Sequence, residues 1–332
     1  LRHNNVDGAL TTNLEKETKM IQKPVKDISV IQSIFGDWLW KILTEDESGP
    51  YDMELQIHDV TPREVDDYKL CGLYDKVEGK ATVYEVPYTE TEGYLEHENI
   101  VHSYFETITE ALKSGNPLLM AGGHCTWAPG VAGAISTYFG PDVRIGILWM
   151  DAHGDIKSEK TSDNRLLAGL PLGTILGFGM EKWRLAGGLE KPLDGRNVLI
   201  SDYRIRTPEV VEDFTRAGIR TLDTEGYNDP VRWKAAVQEL ADSVDIIYFH
   251  VDIDILSHEY IPTFIFPTPG GNKLEVAMDN IRTVMDTGKV FALGVYNTLF
   301  DTEEPGQAVT TLTGMKMIAA GLENWKQYPA KD

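Results

Sequence analysis

The sequence predicts a doubly wound α/β domain with a mainly parallel central sheet. Three observations predict it. Short, nearly continuous apolar runs of strand length recur after about Glu98, segments of helical period lie between them, and no repeat, heptad array or low-complexity tract breaks the alternation.

Taken in order, residues 1–26 mix Asn, Thr, Glu and Lys without apolar periodicity and read as a polar N-terminal arm, leaving residues 27–332 as a single α/β domain. From Ile28 to Tyr88 the pattern is irregular, with an apolar run at 28–34, aromatic residues at Phe35, Trp38 and Trp40, and an acidic loop at 45–52. A helical period over 100–113 precedes a strand at Leu118–Ala121, and further strands are predicted at Ile145–Met150 and Val198–Ser201. The helix predicted at Pro208–Ala217 has marked ends, with Thr207 and Pro208 as N-cap and first-turn proline and Gly218 as the stop. Helix 231–241, strand 246–251, helix Leu274–Met285, strand 290–295 and helix 308–322 complete the alternation.

A chain of 332 residues, 42% hydrophobic, can bury a substantial core. Its formal net charge of −21 repels phosphate backbones and anionic lipid, so no nucleic-acid or membrane partner is expected, while a cationic substrate would be attracted. The cysteines, Cys71 and Cys125, form neither a disulfide framework nor a CxxC pair, and no apolar run approaches the ~20 residues of a membrane span. The expectation is a soluble cytoplasmic protein.

In open α/β sheets ligands bind beyond the carboxyl ends of the strands. Three predicted strands end there in groups able to bind metal. The run Ile145–Met150 is followed by Asp151-Ala152-His153-Gly154-Asp155, where a period of two along extended chain would turn Asp151, His153 and Asp155 to one side. The run at 246–251 leads through His250 to Asp252-Ile253-Asp254, and Leu118–Ala121 leads to Gly122-Gly123-His124-Cys125-Thr126. Carboxylates gathered this way repel one another unless cations sit between them, and the number of donors suits two divalent ions. Two ions about 4 Å apart lower the pKa of a shared water from 15.7 toward roughly 7, which makes a nucleophile for hydrolysis. An oxygen-rich donor set favours Mn2+, whereas a thiolate would draw softer ions.

These motifs resemble those of the ureohydrolases of arginase and agmatinase type, over roughly residues 117–320. Residues 122–126 look like a variant of that family's Gly-Gly-Asp-His-Ser, residues 151–155 match its Asp-Ala-His-x-Asp, residues 252–254 match its Asp-x-Asp, and Thr268-Pro269-Gly270-Gly271 resembles a loop that follows. The resemblance implies a three-layer α/β/α sandwich and a pair of divalent ions, Mn2+ first, held by Cys125, Asp151, His153, Asp155, Asp252 and Asp254. It also implies assembly into homo-oligomers and cleavage of a guanidino group to an amine and urea, ornithine and urea in the case of arginine. Hydrolysis of another C–N bond, as in a formimino or hydroxyguanidine substrate, and a metal-binding protein without catalysis are the alternatives.

The chain departs from the family pattern at four places. Cys125 stands where a ligand histidine is expected, with His124 beside it as the alternative ligand. Ala168 occupies the position of a proton-shuttle histidine, seventeen residues beyond Asp151, which makes His250, together with Asp155, the candidate for catalytic proton transfer. Asn297 aligns near a guanidinium-binding glutamate, with Asp301, Glu303 and Glu304 in the following loop. The segment after the Asp-x-His-x-Asp motif, with Lys157 and Asn164, lacks the usual amino-acid-binding signature. Lys157, Asn164 and Asn297 are therefore the candidate substrate contacts, and the expected substrate is a modified arginine or an arginine side chain within a peptide.

Overall fold

The computed structural model describes residues 23–33, 68–162, 167–204, 208–264, 268–298, 307–323 and 325–327. Among these residues eight parallel strands form the central sheet: β1 (Ile28–Ser33), β2 (Ala81–Val86), β3 (Leu118–Ala121), β4 (Ile145–Met150), β5 (Val198–Ser201), β6 (Arg220–Leu222), β7 (Ile246–Asp252) and β8 (Val290–Tyr296). Their spatial order is β2-β1-β3-β8-β7-β4-β5-β6. Lys23–Pro24 pairs antiparallel with Lys326–Gln327 in a separate two-stranded ribbon.

The inner strands are apolar on both faces because each face meets a helical layer. Along β4, Leu148 and Met150 enter one core and Ile147 and Trp149 the other. The first core receives α4 (Pro230–Ser243), α5 (Leu274–Met285) and α6 (Gln307–Glu323) through residues such as Trp233, Ile281 and Ile318. The second receives α1 (Glu96–Leu112), α2 (Ala128–Phe139) and α3 (Pro208–Ala217) through Tyr104, Ile135 and Phe214. Helix, sheet and helix thus make the three-layer sandwich.

Strands β3, β4 and β5 and helices α3 and α5 have the predicted limits, and β7 and β8 each run one residue further. Gly218 ends α3 with φ of +71°, a conformation that costs glycine no Cβ clash. Strand β2 falls within the stretch whose pattern is irregular, helix α2 was not expected at all, and β6 is a three-residue edge strand. The predictions for the aromatic residues at 35–40, the acidic loop at 45–52 and Thr207 lie outside the described residues.

At the opposite end of the sheet from the motifs, Arg144 and Asp245 tie the approaches to β4 and β7. The Arg144 backbone N–H and Nε donate to Asp245 Oδ2 and Nη2 donates to Oδ1. The side-chain bond from Arg144 is the main cause holding the Asp245 carboxyl down at about 2, against 3.8 unperturbed. A depressed folded-state pKa stabilises above the unfolded value and the benefit disappears as pH falls through the folded one. Asp245→Asn should therefore lower the melting temperature modestly at neutral pH, with the deficit shrinking between pH 3.8 and 2, as thermal melts over that range would show.

Candidate metal centre

The motif residues meet at the carboxyl ends of four adjacent strands, β3, β8, β7 and β4. Cys125 follows β3 in the turn Cys125–Trp127, Asn297 follows β8, Asp252 is the last residue of β7, and Asp151 is the first residue after β4. Asp151, Asp252 and Asp254 are at most 4% exposed and Asp155 is 9% exposed, so four carboxylates lie buried together. Strand pleating accounts for only part of the convergence. Strand β4 ends at Met150, and Asp155 is turned inward by a left-handed backbone with φ of +46°.

Three of the four carboxylates are aimed by hydrogen bonds. Trp149 Nε1 donates to Asp151 Oδ2 at 2.9 Å, and the His153 backbone N–H to Oδ1 at 2.6 Å. The Ala152 N–H donates to Asp254 Oδ1 at 3.1 Å and the Asp254 N–H to Asp252 Oδ1 at 2.9 Å, so the two motifs brace each other. His153 Nδ1 lies 2.6 Å from Asp254 Oδ2 and 3.6 Å from Asp151 Oδ1.

The buried charges shift one another strongly. Burial first, then Asp254, raises the Asp151 carboxyl to about 6, and burial with neighbouring carboxylates raises Asp155 and Asp252. Burial also works to raise Asp254, but His153 and other contacts outweigh it and the carboxyl is lowered. The imidazole of His153 moves the other way: burial would lower it, and Asp254 and Asp151 together raise it. Negative charge so confined calls for cations.

The sequence left the ligand role open between His124 and Cys125, and the two side chains are differently engaged. Cys125 Sγ is 3.0 Å from Asp252 Oδ2, and burial ahead of the nearby carboxylates pushes its thiol up. His124 caps the turn, with Nδ1 accepting from the Thr126 N–H at 3.2 Å and 2.9 Å from Thr126 Oγ1; burial lowers its imidazole to about 4. Among the described residues two groupings bring ligand atoms within 4.8 Å of one another: Asp151, His153 and Asp254, and Cys125, Asp151 and His250.

His250, expected as a proton carrier, is sealed from solvent at 0% exposure. Its ring stacks on Trp149 at 3.5 Å between centroids and on Tyr296 at 4.4 Å, and its Nδ1 is 3.1 Å from Tyr248 Oη, which is 2.8 Å from Tyr296 Oη. Among the described residues its Nε2 has no hydrogen-bond partner. This is a place for a ligand or positioning group, because proton exchange with water needs an exposed face or a water path. Asn297, expected near the guanidinium, instead donates from Nδ2 to Asp252 Oδ2 at 2.5 Å and to Cys125 Sγ at 3.5 Å. Lys157 is half-buried and its backbone N–H donates to Gly169 O at 3.1 Å. Asn164, Asp301, Glu303 and Glu304 lie outside the described residues.

Sequence reasoning missed the residues that frame the site. Trp149, Tyr248 and Tyr296 read as apolar strand residues, and only their positions one or two residues from ligand candidates could have marked them. Arg204 is another such residue. It donates from Nη2 to the Asp254 carbonyl at 2.7 Å and lines a cavity of about 800 Å³ with residues 269–273. None of the four carboxylates lines this cavity, and Thr268 Oγ1, at the start of the same loop, is 3.4 Å from His153 Nε2. Among the described residues no helix is long and apolar enough to cross a membrane.

Comparison with known proteins agrees with the geometry. An arginase from Eremothecium gossypii is 26% identical over 62% of this chain and 53% of its own length, and a formimidoylglutamase from Nocardia farcinica is 27% identical over 57% and 56%. The alignments thus span about half the length of these relatives. The crystal structure of Entamoeba histolytica arginase in complex with L-ornithine superposes with a TM-score of 0.72 at 17% identity, covering 90% of this chain and 98% of that one, which shows a shared fold. The family model described as Arginase family matches residues 44–320, and the chain belongs to the arginase family.

Proposed function

We propose that the chain is a binuclear-metal amidinohydrolase that cleaves the guanidino group of a modified or peptide-borne arginine to ornithine and urea. The observation that carries this reading is the group of four buried carboxylates, with His153 and Cys125, at the ends of four adjacent strands. The donor set fits divalent cations. His250 Nε2 and Asn297 Oδ1 are buried beside it without hydrogen-bond partners among the described residues, and burial keeps Asp151, Asp155 and Asp252 from bearing charge easily without a counter-ion. Cys125, Asp151, His153, Asp155, Asp252 and Asp254 would hold the ions, with Mn2+ the metal that so many oxygens suit. Bound there, a pair of divalent cations supplies Lewis acidity and lowers the pKa of a coordinated water.

The chain's own groups supply the rest. The Ala152 and Asp254 backbone N–H groups fix one oxygen each of Asp254 and Asp252, leaving the other oxygens for ligation. Trp149 and Tyr296 clamp the His250 ring, which holds His250 as a further donor beside Cys125 and Asp151. Asp155 is the most accessible of the four acids, and we assign its carboxyl oxygen the transfer of a proton to the leaving amine.

Urea release from free arginine and from a peptide ending in arginine, with Mn2+-loaded and metal-stripped protein, tests the proposal. Metal-dependent urea is expected, with the peptide the better substrate. A second reading, hydrolysis of a formimino C–N bond, is favoured by one observation: Asn297 places an amide, engaged with Asp252 and Cys125, where guanidinium recognition would call for a carboxylate. Formamide without urea would establish that reading instead.

A further inference from the structure

His250 brings to the metal centre a donor that lies outside the six ligands implied by the family motifs. It sits on β7 between β4 and β8, in register with Trp149 on one side and Gly294 on the other. A Cβ on Gly294 would collide with the Tyr296 ring, so this glycine leaves the room in which Tyr296 folds back over the imidazole. Trp149 stacks on the same imidazole from the other neighbouring strand. The ring is thus fixed in orientation before any ligand arrives.

Its two nitrogens are unequally served. Nδ1 is 3.1 Å from Tyr248 Oη, which is 2.8 Å from Tyr296 Oη, whereas Nε2 is buried with no hydrogen-bond partner among the described residues. With the proton on Nδ1, the imidazole donates to Tyr248, the Tyr248 hydroxyl donates to Tyr296, and Nε2 carries a bare lone pair. The other tautomer would leave Nε2–H a buried donor with nothing to meet. A histidine that donates from one nitrogen to a fixed partner and keeps a lone pair on the other is arranged as a metal ligand. That lone pair has company, because a His250 nitrogen, Cys125 Sγ and an Asp151 carboxylate oxygen all lie within 4.8 Å of one another. Bonds of about 2.0–2.3 Å to a tetrahedral cation set its donors roughly 3.5 Å apart, so small side-chain rotations let these three share one ion. Asn297 Nδ2, 3.5 Å from Sγ, is a hydrogen-bond donor that favours the thiolate over the thiol.

We propose that Cys125, His250 and Asp151 form a sulfur-and-nitrogen site within the centre that takes Zn2+ or Co2+ in preference to Mn2+, beside an oxygen-rich site that suits Mn2+. The oxygen-rich site is the second grouping, Asp151, His153 and Asp254, whose ligand atoms also lie within 4.8 Å of one another. Thiolate and imidazole together select borderline-soft ions, and carboxylates select Mn2+, so the two sites differ in kind. His250 supplies the imidazole that Cys125 replaces in the segment 122–126, and it does so from a different strand. Mn2+ offered alone in excess fills both sites, the sulfur-bearing one more weakly. The assignment rests on the binuclear-metal reading and deepens it.

Stepwise addition of Co2+ to the metal-free protein, followed by absorption, tests this without any turnover. The first equivalent should bring an intense thiolate-to-cobalt charge-transfer band in the near ultraviolet, and the second only weak visible bands. Mn2+ in about tenfold excess should leave the first band standing. Cys125→Ser should remove it. His250→Gln should weaken Co2+ at this site at least about tenfold, and Tyr248→Phe, which keeps the stacked imidazole and removes only the partner of Nδ1, should weaken it by about 10-fold to 100-fold. X-ray absorption of the singly loaded protein should show one sulfur and one imidazole, the imidazole being lost in His250→Gln. Two Co2+ bound without a sulfur band, a band that grows only with the second equivalent, or an affinity unchanged in both His250→Gln and Tyr248→Phe would overturn the assignment and leave the binuclear centre intact. A protein that binds no Co2+ would refute both.

Discussion

Asp252→Asn is expected to reduce kcat at least about a thousandfold and to cut metal binding, without lowering the stability of the metal-free protein. The substitution keeps the shape of the side chain and can keep an oxygen toward the Asp254 N–H. Its amide would then face Asn297 Nδ2 and Cys125 Sγ, which now meet Asp252 Oδ2 at 2.5 and 3.0 Å, so a donor replaces the acceptor at the place where ligation is needed. Stability moves differently. Asp252 is a buried acid raised by burial and then by Asp254 and Asp151, so removing its charge relieves repulsion in the absence of metal. Kinetics, metal analysis and thermal melts of stripped protein on one preparation would show the divergence. A parallel fall in all three would mean that Asp252 is chiefly structural.

Metal removal has the second large expected effect. Chelation should abolish turnover, and Mn2+ should restore it and raise the melting temperature. A ligand at a hundred times its dissociation constant stabilises by about 2.7 kcal/mol per site. The pH dependence has a definite sign. Asp151 is raised from 3.8 to about 6, and a raised acid contributes stability that is complete below the unfolded pKa and lost as pH rises through the folded one. Stripped protein should therefore lose stability between about pH 4 and pH 6, and added Mn2+ should recover it increasingly toward neutral pH, where the carboxylates are free of protons. Denaturation midpoints with and without Mn2+ across that range would measure this. Restoration by Zn2+ or Co2+ but not Mn2+ would point to a site governed by the Cys125 thiolate.

The parts of the fold that were legible in the sequence are those buried on both faces of the sheet. The runs 118–121, 145–150 and 198–201 stand out because their residues must be apolar whichever way they point. Helix α2 escaped for the opposite reason. Ala128–Phe139 is small and apolar nearly all round and buried over most of its length, so it has no polar face to set a helical period, and its Pro and Gly residues resemble a turn. Strand β6, half-exposed at the sheet edge and three residues long, offers too little pattern to detect.

At the site, residue types were readable and orientations were not. Asp151, His153, Asp252 and Asp254 could be found from motif spacing, because short spacing at a strand end leaves few ways to separate the side chains. The inward turn of Asp155 depends on a left-handed backbone angle, and the engagement of Asn297 with Cys125 and Asp252 depends on another, φ of +64° at Asn297. Neither follows from the residue type. The burial of His250 between Trp149 and Tyr296 comes from three strands meeting in register.

The most direct test of the account is to count divalent ions per chain by elemental analysis and to measure urea release on the same Mn2+-loaded sample, beside Asp252→Asn. Close to two ions per chain and metal-dependent urea are expected in the unaltered protein, with both reduced by the substitution. A protein that binds no divalent ion, or whose turnover is the same with the metal stripped away, would contradict it.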